Sequence, residues 1–477
     1  MRRRPHMLAG AAAALALVTA ACAIQPGPQI STVPTSPSFV SAVDSTFDPA
    51  PPIEAFWTDL GDTTLGRLVA AAMRANLDVR VAAARLANAQ ANRDLATFDY
   101  FPTVTASGGY RRQRISGESF PGLPGAVDLD LYTAGLEGSW EIDVFGRIRN
   151  NVAGQNALER AAGEDLRDVQ VVLASEVGRT YYELRGAQEQ LAVAQRNAEN
   201  QRETLQLTED RLEGGRGTAF DRERARAQLS ATLATIPELE TRVASGIFRI
   251  GVLLGRPPGS LADSLAAPVE LPELPGKPDV GTPEMLVRQR PDVRSAERRY
   301  AAQTAFVNSA QAEYWPRLEV GGDAGFTANS LESLGESQTT RYIVGPIITW
   351  PMFDLGRVKA RVSAEEARAD EARATFDQTV LLALEETETA LVAYDRAKAR
   401  LTLLADAAAA SERAVELAQL RFDEGVTDFL QVLDAERTML EAQDNLARGR
   451  TDAVTAFVAL YRALGGAWPM GEVAAEP

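Results

Sequence analysis

The sequence predicts a membrane α+β fold with four short β-strands and two long coiled-coil helical hairpins, delivered by two copies of one unit. Three observations carry this: landmarks that recur about 210 residues apart, stretches of alternating polarity between them, and helical runs with heptad spacing.

The repeat comes first, because it sets the frame. Asn76-Leu77-Asp78-Val79-Arg80 is echoed by Arg290-Pro291-Asp292-Val293-Arg294, and Phe101-Pro102 by Trp315-Pro316, both at a spacing of 214 residues. Trp140 with Gly146-Arg147 returns as Trp350 with Gly356-Arg357, Arg211 and Gly215 as Arg421 and Gly425, and Leu254-Gly255 as Leu464-Gly465, all at 210. Each copy opens on a helix; in the first, Leu68, Ala72, Leu77, Val81, Ala84 and Leu86 recur at helical spacing before Pro102.

Two strands follow in each copy. Over residues 129–142, Tyr132, Ala134, Leu136, Trp140 and Ile142 share one face, while Thr133, Glu137, Ser139 and Glu141 share the other. Over 318–326, Leu318, Val320, Ala324 and Phe326 oppose Glu319 and Asp323. Strands at 103–110 and 342–350 complete the set less cleanly. Four strands cannot close a membrane barrel, whose smallest form uses about eight. An open sheet edge is not tolerated in hydrocarbon, so strands in a membrane require an oligomer.

The long helices come next. In 147–212, Leu166, Val169, Leu173, Val177, Thr180 and Leu184 step by three and four, a heptad seam that implies coiled-coil packing. At ~1.5 Å per residue this helix is a rod of roughly 100 Å. The turn Gly214-Gly215-Arg216-Gly217-Thr218 reverses the chain toward Leu254, and the second copy does the same from Arg357 through Gly425.

At the N-terminus, Arg2, Arg3 and Arg4 precede an apolar run from Met7 to Ala21, the layout of a secretory signal peptide. It ends Thr19-Ala20-Ala21-Cys22, which resembles a lipoprotein lipobox with Thr19 as a departure, so Cys22 is the expected lipidation site. Ordinary signal cleavage near Ala21 is the alternative. The stretch that follows is rich in Pro, Ser and Thr and reads as a tether rather than a core element. The division is therefore a signal peptide at 1–21, a lipidated tether at 22–55, a first repeat at 56–255, a linker at 256–282, a second repeat at 283–465 and a tail at 466–477.

Composition removes whole classes of function. Formal charge is -16 from 49 basic and 65 acidic residues, which argues against nucleic-acid binding. The chain has one Cys and one His, Cys22 and His6, so no downstream Cys/His metal site and no histidine-based catalysis is available. Neither a nucleophile elbow nor a phosphate loop is present, and no carboxylate pair stands out. An enzyme is not expected, nor a cofactor.

Several strings together resemble the TolC-like outer-membrane efflux proteins, and their lipoprotein branch serving RND-type pumps (the NodT type). They are Phe56-Trp57, Phe101-Pro102, Ser139-Trp140-Glu141-Ile142-Asp143-Val144-Phe145-Gly146-Arg147, Arg290 to Arg294, Trp350-Pro351-Met352-Phe353-Asp354 and Leu464-Gly465-Gly466-Ala467-Trp468. The resemblance implies a homotrimer whose strands close a twelve-strand barrel in the outer-membrane lipid, continued by a helical periplasmic tunnel. It implies docking to a periplasmic adaptor and an inner-membrane RND pump. Arg211, Gly215, Thr218, Arg421 and Gly425 would form the adaptor-docking tip; plain helix capping is the other reading of the glycines. Asp434, and more weakly Asp221, would supply a periplasmic gate. Gln431 and Thr427 replace a second acid and an arginine familiar in some members, and a helix N-terminal acid is the other reading of Asp434. Glu137, Glu141, Glu319 and Asp323 would face the lumen and favour cations. A type I secretion duct and a pore-less, lipid-anchored coiled-coil scaffold are the competing readings.

Overall fold

The computed structural model describes residues 33–34, 36–42, 47–50, 60–116 and 125–466. The signal peptide, Cys22, Phe56-Trp57 and Ala467-Trp468 lie outside the described residues.

Each copy of the repeat begins with a broken helix. Helix α1 (Thr63–Ala75) is started by Asp62, whose carboxylate accepts from the backbone N–H groups of Thr64 and Leu65. It buries Leu65, Leu68, Val69 and Ala72 on one face. Where the sequence reads as one continuous helix to Pro102, the chain breaks at Asn76, which is extended. The Asn76 side chain takes up the groups the break exposes. Its Oδ1 accepts from the N–H groups of Asp78 and Val79, starting α2 (Leu77–Phe98), and its Nδ2 donates to the Leu253 carbonyl at 2.9 Å.

Strands β1 (Thr103–Ile115) and β2 (Val127–Ile142) lead into α3 (Arg147–Glu213) and α4 (Ala219–Leu253). After a single turn, α5 (Ala262–Leu265), the second copy supplies α6 (Pro283–Gln289), α7 (Pro291–Gln311), β3 (Arg317–Ala328), β4 (Thr340–Thr349), α8 (Leu355–Asp423) and α9 (Phe429–Ala463). The break between α6 and α7 repeats the one at Asn76. Arg290 is extended, Pro291 opens α7 where a missing N–H costs nothing, and Arg290 Nη1 donates to the Ala463 carbonyl at 2.7 Å. Leu253 and Ala463 are repeat equivalents, so a neutral and a charged donor do the same work.

The chain forms two compact units. Of the described residues, the first holds those within Arg85–Gly163 and Ser295–Asp377, the second those within 33–84, Glu164–Arg294 and 378–466, so each unit draws on both copies of the repeat. In the first unit the β-strands form one antiparallel sheet in the order β1-β2-β3-β4. Below it, Ala96, Ile148 and Val152 form one small cluster and their repeat equivalents Ala310, Val358 and Val362 another.

The second unit holds the main core, where Leu65, Val69, Tyr181, Tyr182, Leu184, Ile250, Leu391, Tyr394, Phe457 and Leu460 are buried. The heptad seam is present: Leu173, Val177, Thr180 and Leu184 are all buried. Burial between Val171 and Gln190 nevertheless extends around most of α3, because other chain segments cover the outside. Arg185, 3% exposed, donates to the Ala267 carbonyl, and Gln188 donates to that of Leu265, which fastens the expected linker along the helix. The described part of the expected tether is irregular but not detached. Phe39 and Phe47 are each 3% exposed within the core, and the N–H groups of Val40 and Ser41 both donate to the Glu388 carboxylate at 2.8 Å. Among the described residues, no helix is long and apolar enough to cross a membrane.

Candidate functional site

Two regions carry the functional residues, and each is described within its own unit. The first is the sheet. Its register places Glu137 opposite Asp323 and Glu141 opposite Glu319, so all four predicted acids share one face. Like charges directly opposite repel, and arginines answer two of them. Arg147 donates from Nε and Nη2 to the two Glu141 carboxylate oxygens, at 2.9 and 2.7 Å, and Arg341 pairs with Asp323. The same face also carries Thr105, opposite Glu137, and Ile343, opposite Asp323, which is why β4 alternates poorly in the sequence.

The other face of the sheet is apolar and open. Leu136, Tyr342, Val344 and Ile348 are all more than half exposed. At one end of the strands the indole N–H groups of Trp140 and Trp350 donate to the carbonyls of Tyr100 and Tyr314, the same bond made in both copies. At the other end Arg112 and Arg114 approach Asp130 and Asp128. Glycines let the central strands meet: a Cβ on Gly325 would lie 2.3 Å from the Ala134 carbonyl oxygen.

The second region is the pair of hairpin turns. Gly215 and Gly425 have φ of +70° and +71°, a conformation that favours glycine. At each, the glycine N–H and the next N–H return to carbonyls of the helix just ended: Gly215 to Leu212 and Arg216 to Arg211, then Gly425 to Phe422 and Val426 to Arg421. Both are Schellman caps, so the capping reading of the glycines holds at both turns.

Beyond the caps the turns differ. Thr218 and Asp221 form a reciprocal capping box at the start of α4, whereas Asp428 alone caps α9. Arg211 lies over the Phe422 ring at 4.3 Å, while Arg421 is exposed. Phe422 in turn packs on Phe429 at 5.1 Å, above Ala225, Val432 and Leu433.

Asp221 is thus occupied in capping. Asp434 is not: it is exposed, six residues past its cap, and bonds Arg437 at 2.9 Å, with Glu441 on the far side of the same guanidinium. The helix dipole acts within the first turn, so it does not account for an acid at Asp434. Thr427, just before the Asp428 cap, has a buried hydroxyl that meets no partner.

Two polar clusters in the second unit were not singled out by the sequence. One surrounds Arg290, which pairs with Asp292 and Glu386, each at 2.8 Å, in a recess of about 240 Å³ shared with Asp168 and Arg462. Burial, and then repulsion by Asp292, push the Asp168 carboxyl up to about 6, against the pull of Arg290 and Arg462. The other holds Glu436, whose carboxyl is raised by burial and partly offset by a hydrogen bond from Thr204. The replacement of Asn76 by Arg290 between the copies was the available signal for the first; a heptad seam gives none for the second.

The sequence profile described as outer membrane efflux protein matches residues 68–256 and 282–466. The solvent efflux pump outer membrane protein SrpC of Pseudomonas putida is 30% identical over 414 residues, covering 86% of this chain and 87% of that protein. Nodulation protein T of Rhizobium leguminosarum bv. trifolii is 28% identical, covering 87% of this chain and 88% of that protein. Among solved structures, the outer-membrane channel OprN superposes with a TM-score of 0.87 at 39% identity, covering 93% of this chain and 99% of that one. The architecture is TolC-like, and the chain belongs to the outer membrane efflux protein family.

Proposed function

We propose that this chain is the exit duct of a tripartite efflux system, passively conducting small molecules across the outer membrane for a periplasmic adaptor and an inner-membrane RND-type pump. The observation that carries the reading is the four-strand sheet with one open apolar face and two unpaired edges, β1 and β4. Unpaired backbone groups are too costly in hydrocarbon for such a sheet to stand alone. Copies of the chain supply the missing neighbours, and a homotrimer closes the barrel with its acid-bearing face inward. The pore-less scaffold leaves this sheet without a role.

In this reading Cys22 carries the lipid anchor, and the two turns, with Arg211, Gly215, Thr218, Arg421 and Gly425, dock the adaptor. Asp434 with Arg437 gates the tunnel, with Asp221 holding the turn rather than the gate. Glu137, Glu141, Glu319 and Asp323 bias conduction toward cations. An intersubunit disulfide test decides the assembly: Val104→Cys with Val344→Cys places thiols on the two edge strands. Oxidation in outer-membrane vesicles should give a covalent trimer; monomer alone refutes the reading. Planar-bilayer recording then tests conduction, where anion selectivity would remove the acids from the mechanism.

A further inference from the structure

Between α3, α8 and α9 the second unit contains a cavity of about 410 Å³ whose polar wall includes Asn197, Gln201, Glu203, Thr204, Gln419 and Glu436. Gln201 is only 4% exposed, yet neither its amide oxygen nor its amide nitrogen meets a partner. Glu436 uses one carboxylate oxygen to accept from Thr204 at 3.3 Å, and its other oxygen, fully buried, also meets none. Buried polar groups are rarely left so in native proteins, and three such atoms around one cavity point to an occupant.

The chemistry of the wall selects that occupant. Two carboxylates and four carboxamides line the cavity and no basic side chain does, so an anion is excluded and a positive charge is wanted. Among the described residues, no group of three or more His, Cys, Asp or Glu side chains is placed to hold a metal, which rules out a tightly ligated zinc-type site there. Oxygen donors with few charges suit a hard cation that keeps part of its water. At ~30 Å³ per water molecule, the cavity holds an ion with its inner shell.

We propose that this cavity binds a hydrated divalent cation of the Mg²⁺ or Ca²⁺ class, held by Glu436 and the Gln201 amide oxygen, tying α9 to α3. Glu436 lies on the same helix as Asp434, about half a turn on, so the site joins the gate segment to its neighbouring helix. The proposal concerns a structural ligand and is independent of whether the chain conducts.

The test is calorimetric titration of the purified full-length protein in detergent with CaCl₂ and MgCl₂. Saturable binding of one ion per subunit is expected, with a dissociation constant on the order of 10⁻⁴ M. Glu436→Gln, which keeps the size and the Thr204 bond while removing the charge, should weaken binding at least tenfold. Gln201→Leu should weaken it as well, and the thermal midpoint should rise with cation in the native protein only. Absence of saturable binding overturns the proposal, as does binding unchanged in Glu436→Gln. A midpoint that rises on acidification but ignores both cations would show that a proton and water fill the cavity, and would overturn it too.

Discussion

Asp168→Asn should make the protein more stable at pH 7.5 and leave it unchanged near pH 4. The Asp168 carboxyl is pushed up from 3.8 to about 6 because it is desolvated and faces Asp292, and Arg290 and Arg462 compensate only in part. An acid whose folded value is raised holds its proton more firmly in the native state. The contribution of Asp168 to stability is therefore fully present below about 4 and is lost as pH rises to about 6. At ~1.36 kcal/mol per pH unit the interval corresponds to ~3 kcal/mol, and solvent access to the carboxyl screens this to roughly 1–2 kcal/mol per subunit. Asparagine keeps the shape and removes the charge. Thermal unfolding of both proteins from pH 4 to 8 is the assay, and the variant's midpoint should lie a few degrees higher above pH 6.5. Parallel pH profiles, or a variant less stable at pH 7.5, would refute the reasoning.

Other outcomes follow from the same structure. Arg290→Met should destabilise more than Asn76→Ala, by about 3 against about 2 kcal/mol. It strands Asp292 and Glu386 as well as a carbonyl, although Thr387 still donates to that carbonyl; chemical denaturation compares the two. Gly325→Ala should prevent correct β2–β3 pairing, since its Cβ would collide with the Ala134 carbonyl, and heat-modifiable oligomer on gels should disappear. Gly425→Ala forces a left-handed conformation on alanine at a cost of about 1 kcal/mol, and proteolysis at the turn should quicken. Asp434→Ala leaves Arg437 paired only with Glu441, and single-channel conductance of the resting protein should rise; an unchanged trace would take Asp434 out of the gate.

Much of this fold was legible because duplication writes its landmarks twice. The strands emerged from alternation within a few residues of their ends, and the hairpins from heptads and glycines. The break at Asn76 was not legible: its flanking residues keep helical spacing, and only contact with the Leu253 carbonyl shows why the chain bends there. Phe39 and Phe47 were hidden for a related reason, being two aromatics without periodicity in a polar stretch whose Val40 and Ser41 are bonded to a carboxylate nearly 350 residues away. Among the site residues, the acids of the sheet were readable from their parity. The arginines that temper two of them were not, because Arg147 reaches back from a helix and Arg341 lies on another strand. Asp434 could be located from the family resemblance, aligned on Gly425 and Val432-Leu433-Asp434, whereas its bond to Arg437 depends on where α9 begins.

The two helix breaks began as copies and have since diverged in kind. Asn76 holds its carbonyl with a neutral amide, a latch blind to acidity. Arg290 holds the equivalent carbonyl with a charge, and around it stand Asp292, Glu386 and the readily protonated Asp168. The repeat partner of Asp168 is Gln378, which cannot titrate. One joint of the duplicated frame therefore carries a titratable neighbour that its twin lacks. A fall in pH protonates Asp168 and relieves its repulsion from Asp292, a response that an amide at the equivalent position does not make.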